Sequence, residues 1–324
     1  MIYKMAPNTR NENTITPESD MLEKLIVPRA EPRKYKIVCR NIVVFLYYHF
    51  AGLYGFYLCL TAAKWQTILA GYIFFIVGGL GITAGSHRLW SHKSFKATKP
   101  LQLILMLFQS CANQHSVAHW VRDHRLHHKY SDTDADPHNA TRGFFYSHVG
   151  WLMVRKHPEV VKRGKHIDLS DIYSNPYLKF QNDNSFWFIP LLSFVVPTLL
   201  PVICWSETIS IAWHVNMLRY ALNLNVTFMV NSVAHMWGYK PYDKNIAPSQ
   251  SHAVSVVSLG EGYHNFHHVF PYDYRSDELS NIRLNPTTIF IDLCAKLGLA
   301  YDLKRAPREI VTARAKRTGD GTME

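Results

Sequence analysis

Nine of the eighteen histidines fall into four short clusters: His87-Arg-Leu-Trp-Ser-His92, His124-Arg-Leu-His127-His128, Asn231-Ser-Val-Ala-His235 and His264-Asn-Phe-His267-His268. Neutral imidazole is a common ligand for iron, copper and zinc. Nine such groups exceed what one ion holds, so the pattern predicts two metal ions. In an HxxHH motif, positions i, i+3 and i+4 share one helix face, which aims three imidazoles at one small volume. A lone histidine is more often solvated surface, and His49, His138, His148, His157, His166, His214 and His252 are read that way. Scattered surface histidines have no physical reason to repeat the HxxHH spacing.

Ligand type narrows the metal. The sequence has no Glu-x-x-His pair of the kind soluble di-iron bundles use, and no cysteine set for structural zinc. A neutral, nitrogen-rich cavity suits redox iron, although ligand count alone leaves copper and zinc open. Along a helix, Trp120 lies one turn before His124, with His127 and His128 one turn after, so Trp120 is expected to face the same volume. Thr227, Asn231 and His235 are spaced by four and form a polar ladder towards the metal. Asn231 has two equal readings, a weak or water-mediated metal contact and a helix–helix hydrogen bond. His87 and His92 are five apart, about 140° on an ideal helix, so the helix is expected to end near His92. Stepping back from His87 by fours gives Thr83, Gly79 and Phe75, a face leading into the membrane. Gly79 would there leave room for a long apolar substrate, against the default that it lets two spans pack tightly.

The elements that position these residues are written in the hydropathy. Apolar runs over 41–60, 66–86, 186–205 and 209–237 are each long enough to cross a bilayer core, and only Arg219 brings a formal charge into the last. Very short connections pair them as two hairpins. The expected fold is an all-α integral membrane protein with four transmembrane helices and a helical cap, over 87–185 and 238–304, that holds the dimetal histidine site. A mean hydropathy of −0.11 fits a chain with about half its mass in water. Arg29, Arg33, Lys34, Lys36 and Arg40 precede the first span, whereas the short connections contain only Lys64 and Glu207. The basic side is the cytosolic side, so both termini and every histidine cluster are expected in the cytosol. No cleavable signal peptide is legible, and an endoplasmic reticulum membrane is the default. Residues 1–32 read as a polar cytosolic tail and 305–324 as a basic mobile one, flanking a single domain over 33–304. The five cysteines lack CxxC spacing and read as reduced apolar fillers. The net charge of +11 is spread around membrane ends and a tail, which favours anionic lipid, an acidic protein partner or a phosphorylated substrate over nucleic acid. A metal transporter would need ligands along a crossing path, and only His235 sits at a span end.

These motifs together resemble one family. HRLWSH, HRLHH and HNFHH, with WVRDHRLHHKYSDTDADPHNATRGFFYSHVGWLMVRKHP and GEGYHNFHHVFPYDYR, closely resemble the membrane fatty acyl-CoA desaturases from about Arg33 to Lys304. The N-terminal style and the APSQ segment are similar to the insect branch, which includes moth pheromone enzymes. The resemblance implies a stearoyl-CoA desaturase-like protein whose nine clustered histidines, His87, His92, His124, His127, His128, His235, His264, His267 and His268, ligate two irons, with Asn231 reaching a metal through water. It implies O2 as co-substrate and electrons from NADH through cytochrome b5 reductase and cytochrome b5. It places Arg122, Asp123, Arg155 and Lys156 at the CoA head, and Gln114, Trp120 and Thr227 at a bend in an acyl tunnel. The product would be a Δ11 or Δ9 double bond in a C14–C18 saturated acyl-CoA, for unsaturated fatty acid and sex-pheromone precursor synthesis.

Departures from the family pattern cluster at Cys111-Ala-Asn-Gln-His115 and His119. His115 and His119 are not added to the ligands, because nine are present and Trp120 lies on the ligand stripe. A change beside the bend leaves bond position open, and with it a multifunctional desaturase or conjugase. A fatty acyl hydroxylase of the same superfamily differs in product mass.

Overall fold

A computed structural model describes residues 34–277 and 285–323; the expected N-terminal tail over 1–32 lies outside the described residues. The charge-free run after Arg40 forms helix α1, Cys39–Thr61, and a three-residue turn leads into α2, Trp65–Ser91. The segment after α2 begins with a two-residue strand, Lys96–Ala97, paired antiparallel with Ala300–Tyr301. It continues as α3, Lys99–Ala112, and α4, Val117–Tyr130, whose first turn is capped by Ser116 Oγ accepting from His119 N. Short helical turns lead to α5, Ser185–Trp205, which returns through a tight turn as α6, Ile209–Met236. Four shorter helices follow: α7, His252–Val257; α8, His264–Val269; α9, Pro286–Lys296; and α10, Arg308–Thr318.

Three helices among the described residues are long and apolar enough to cross a membrane: α1, α2 and α5. The fourth expected span, α6, has 28 residues but falls short in apolarity because it buries Asn216, Arg219 and Asn223. These polar groups bind the bundle together. Arg219 donates to the carbonyls of Cys111 at 2.7 Å and Ser193 at 2.6 Å and to Asn216 Oδ1 at 2.6 Å, joining α3, α5 and α6. The Ser193 carbonyl lies in a π-helical turn of α5, Leu191–Val195, where the i→i+4 ladder is interrupted.

At the end remote from the histidines the two hairpin turns clasp each other. Glu207 accepts from Lys64 N at 2.9 Å and Thr67 Oγ1 at 2.7 Å, while Lys64 Nζ donates to the carbonyls of Trp205 and Ser206.

The basic tail expected to be mobile is instead folded. Val311 of α10 is buried with Tyr242, Phe266 and Phe270, and Thr318 Oγ1 donates to the Tyr242 carbonyl at 2.6 Å. Arg314 pairs with Asp243. Val311 and Ala315, with polar anchors at Arg314 and Thr318, dock the helix among many charges, which composition alone did not reveal.

Helices α1 and α6 pack along each other closely enough that a Cβ on Gly55 would stand 2.0 Å from the His214 carbonyl oxygen. Gly55→Leu is therefore expected to destabilise the protein by about 3 kcal/mol or more, at the severe end of overpacking. Gly164→Ala, whose new Cβ meets only Leu126 Cδ2 at 3.6 Å, serves as control. Equal thermal unfolding midpoints for the two variants in detergent would refute this close approach.

Candidate metal centre

The last part of α2, Gly81–Ser91, is wound as a π-helix, and His92 N donates to the His87 carbonyl at 3.2 Å. In this i→i+5 pattern residues five apart come onto one face. The helix does end at Ser91, as the spacing predicted, but the widened winding also aligns His87 and His92, whose ring centroids lie 4.9 Å apart. Helices α4 and α8 each present an HxxHH face, and His235 arrives from the last turn of α6.

The nine clustered histidines separate into two groups, each with nitrogens within 4.8 Å of one another: His87, His92, His124, His128 and His267, and His127, His235, His264 and His268. Each HxxHH motif is divided between them. In α4 the i, i+4 pair joins the first group and the i+3 residue the second; in α8 the pair joins the second and the i+3 residue the first. Nε2 atoms face each other at 2.9 Å for His87 and His267, 2.8 Å for His92 and His124, and 3.0 Å for His235 and His264. So many inward-facing imidazole nitrogens cannot all be satisfied by one another, and they form a donor set suited to two divalent cations.

The outward nitrogens are held by carboxylates. His87 Nδ1 lies 2.7 Å from Glu261, His127 Nδ1 2.8 Å from Asp136 and His235 Nδ1 3.1 Å from Asp132. A carboxylate on the far nitrogen fixes the tautomer and turns the Nε2 lone pair inward. Burial opposes ionisation of Glu261, yet Arg88, at 2.8 Å, and His87 bring its carboxyl down to about 2. Burial, reinforced by neighbouring imidazoles, holds His124, His128, His264, His267 and His268 well below the ordinary histidine value, which leaves them in the neutral, metal-binding form. Burial acts the same way on His127, but the adjacent Asp136 outweighs it and raises that histidine.

These three carboxylates were not singled out from the sequence. Their signal was present: Asp132, Asp134 and Asp136 alternate immediately after the first HxxHH helix, and Glu261 stands three residues before the second. Three of the isolated histidines also require correction. His138 is buried, with its ring 4.4 Å from that of His127, and His148 bridges Ser232 and Asn225, the latter also donating to His49. They are structural groups, not solvated surface.

An apolar cavity runs from the histidines along α2 and α6, between Ile82, Val226, Val230 and Leu259. Phe75, Gly79 and Thr83, spaced by four on α2, line it. The nearest atom to a Cβ on Gly79 would be Leu259 Cδ1, at 2.7 Å. That neighbour belongs to the cap, so the tight span–span contact read as the default for Gly79 is not what the position makes. A second, wider cavity opens beside it, and Trp120, His124, Thr227 and Asn231 line both. Where they meet, Gln114 Nε2 donates to Thr227 Oγ1 at 2.9 Å, Trp120 Nε1 reaches Gln114 Oε1 at 3.4 Å, and the Trp120 ring stacks on His124.

Arg122 and Asp123 line the wider cavity. Asp123 accepts from Arg122 at 2.9 Å and Lys156 at 2.5 Å; despite burial, His119, Lys156 and Arg122 hold its carboxyl far below the usual range. Arg155 is exposed beside Lys156 and lines neither cavity. His115 and His119 stack on each other, with centroids 4.2 Å apart, on the wider cavity's wall and belong to neither metal group.

A fatty acid desaturase family model matches residues 61–282. The chain is 59% identical over 319 residues to the acyl-CoA Delta(11) desaturase of Choristoneura rosaceana, covering 98% of this chain and 95% of that relative. It is 57% identical over 300 residues to the (11Z)-hexadec-11-enoyl-CoA conjugase of Bombyx mori, covering 93% and 91%. It is 49% identical over 334 residues to the acyl-CoA Delta-9 desaturase of Acheta domesticus, covering 99% and 93%.

Removing a carboxylate behind a ligand should weaken metal binding without removing the ligand. Glu261→Gln and Asp136→Asn are each expected to lose roughly 10–100-fold in metal affinity, measured as metal retained per chain after dialysis against a graded chelator. Retention equal to wild type would exclude these carboxylates from positioning ligands.

Proposed function

Since the chain belongs to the fatty acid desaturase family, we propose that it is an acyl-CoA desaturase of the endoplasmic reticulum that places a double bond, Δ11 foremost and Δ9 as an accompanying position, in C14–C18 saturated acyl-CoA. The observation that carries this reading is the division of nine clustered histidines into two groups at the head of an apolar cavity. Four spans fit the bundle once the polar face of α6 is seen to be turned inward, and the basic residues before α1 support a cytosolic cap and termini. The moth relatives support a role in pheromone precursor synthesis.

Iron is the metal proposed for both groups, with Asn231 contributing through water. When bound, two irons would supply an oxidant, drawn from O2 and external electrons, able to remove hydrogen from unactivated methylenes. The overall change balances: two hydrogens leave adjacent methylenes, two electrons arrive from NADH through cytochrome b5 reductase and cytochrome b5, and O2 with two further protons becomes two waters.

The protein's own residues set where this happens. Arg122, Arg155 and Lys156 offer cationic donors for the phosphates of CoA, with Asp123 holding Arg122 and Lys156 in place. Gln114, Trp120 and Thr227 hydrogen-bond to one another at the junction of the two cavities, and so impose a bend on a chain passing between them. Ile82, Val226, Val230 and Leu259 exclude water beyond it. Glu261, Asp136 and Asp132 keep protons on the Nδ1 atoms of His87, His127 and His235. Regiochemistry follows from which methylenes the bend presents beneath the two histidine groups.

The conjugase relative and the departures at Asn113, His115 and His119 beside the bend favour a second activity, conversion of the monoene into a conjugated diene. Expression in yeast lacking its own desaturase, with double bonds located by derivatisation and mass spectrometry, is expected to give Δ11 monoenes, with Δ9 monoenes or conjugated dienes alongside, all lost in His267→Ala. Thr227→Val and Trp120→Ala are expected to shift chain length or bond position before they abolish turnover. Hydroxylated acyl product would assign the sister chemistry, and no product from well-expressed, iron-loaded protein would refute the desaturase reading.

A further inference from the structure

Gln114 stands where the two cavities meet, in a loop whose shape the chemistry above leaves unexplained. Helix α3 ends at Ala112, and Asn113 caps it in the left-handed conformation, φ 48° and ψ 47°, with its N–H donating to the Ser110 carbonyl at 3.2 Å. His115 is left-handed as well, with φ 66°. Residues other than glycine adopt this conformation uncommonly, and two of them flanking a third persist only where the surroundings hold them. The backbone turns on either side aim the side chain between them. Whatever holds Asn113 and His115 therefore decides where Gln114 reaches.

Two clamps do so. Asn113 Nδ2 donates to Tyr220 Oη at 3.1 Å, and Tyr220 Oη donates to the Asn113 carbonyl at 3.4 Å, so one phenol grips both the side chain and the backbone of the cap residue. The Tyr220 ring is buried on α6, edge-on to Tyr48 of α1 at 4.8 Å and to Phe194 of α5 at 5.1 Å, which leaves the hydroxyl no freedom to swing. On the other side the His115 carbonyl accepts from Gln109 Nε2 at 2.9 Å. Gln109 Oε1 in turn accepts from Gln181 Nε2 at 2.6 Å, and Gln181 Oε1 from Val117 N at 2.9 Å. Between the clamps, Gln114 Nε2 donates to Thr227 Oγ1 at 2.9 Å and to Asn223 Oδ1 at 3.3 Å. Tyr220 lies seven residues before Thr227, roughly 10 Å along α6. The loop is thus fastened to one helix at two heights.

That helix is the partition between the cavities. Tyr220 and Leu224 line the wider one, Asn223, Val226 and Val230 the apolar one, and Thr227 and Asn231 line both. Gln114 is held against the edge of the partition, where a chain would pass from one side to the other. A displacement of Gln114 along α6 would move that crossing relative to the histidines, and with it the methylenes presented to them. We propose that Asn113 and Tyr220 are a register lock, a pair of positioning residues that act through Gln114 to fix which two carbons of the acyl chain are desaturated. The inference rests on the desaturase reading and goes further by assigning bond position to a contact outside the residues that form the bend.

The test expresses wild type, Tyr220→Phe, Asn113→Gly and the double variant in desaturase-deficient yeast fed a C16 saturated acid, with double bonds located by derivatisation and mass spectrometry. Tyr220→Phe removes only the hydroxyl and keeps the ring in its aromatic packing. Asn113→Gly removes the amide and keeps a residue suited to the left-handed backbone, which guards against misfolding. Each single variant is expected to raise the ratio of minor to main positional isomers about 2–10-fold, the range that one neutral hydrogen bond is worth between two registers. The double variant is expected to shift it no further than the larger single change, because both substitutions break the same contact. A loss of packing alone would lower total yield and leave the isomer ratio where it was. An unchanged ratio in either single variant overturns the proposal, as does a double variant whose shift is the product of the two single shifts. So does loss of all product in both single variants, since the pair would then serve turnover rather than register. These three outcomes leave the desaturase reading intact, whereas wild-type protein that forms no unsaturated product refutes that reading and this proposal with it.

Discussion

The structure depends on one requirement: nine imidazoles must be packed together with their ring nitrogens turned inward. Burial, reinforced by the neighbouring imidazoles, keeps most of them neutral, but it does not orient them. Orientation comes from behind, through Glu261, Asp132 and Asp136 on the outward nitrogens. A buried carboxylate is itself costly unless it is paired. Glu261 is accordingly met by Arg88, and Arg88 by the Tyr274 carbonyl, Thr288 and Asn285. Asp136 is met by the backbone N–H groups of Asp132 and His138. Each layer therefore calls for the next, and the cap around the histidines is as much a solution to this electrostatic problem as a substrate platform.

The same logic operates in the apolar half. Arg219 is fully enclosed, and its partners are carbonyls and an asparagine rather than an acid. Such a group is tolerated only where backbone oxygens are available. They are supplied by the C-terminal turn of α3 and the π turn of α5. A second π segment, in α2, does different work by rotating His87 and His92 onto one face. Local departures from α geometry thus serve the bundle twice, once by releasing an acceptor and once by re-aiming ligands.

Much of this was legible beforehand. The HxxHH spacing marked the donor nitrogens because helix geometry is local, and the hydropathy runs marked three helices that are sufficiently apolar. The stripe from Phe75 to His87 and the position of Trp120 beside His124 followed from the same local periodicity. What stayed hidden depends on tertiary pairing. Nothing in His124-Arg-Leu-His127-His128 says that its members divide between two groups, because that is decided by how α8 faces α4. Asp132, Asp136 and Glu261 look like ordinary loop acids until their partners are placed, and His138 looks isolated until Asp136 draws it inward. The docked α10 was missed because a charged composition says little about one buried valine. The wide turn in α2 has no signature in side-chain types at all.

The clasp around Glu207 gives the molecule a common origin of height. From it two stiff rods rise along the bundle. One, α2, runs from Thr67 to the π segment that carries His87, and the other, α6, from Thr208 to His235, roughly 40 Å. A helix is nearly incompressible along its axis, so levelling the two turns at one end levels the histidines at the other. The relative height of the histidines carried by the two helices is thus set at the far end of the bundle, where Glu207 joins the two turns.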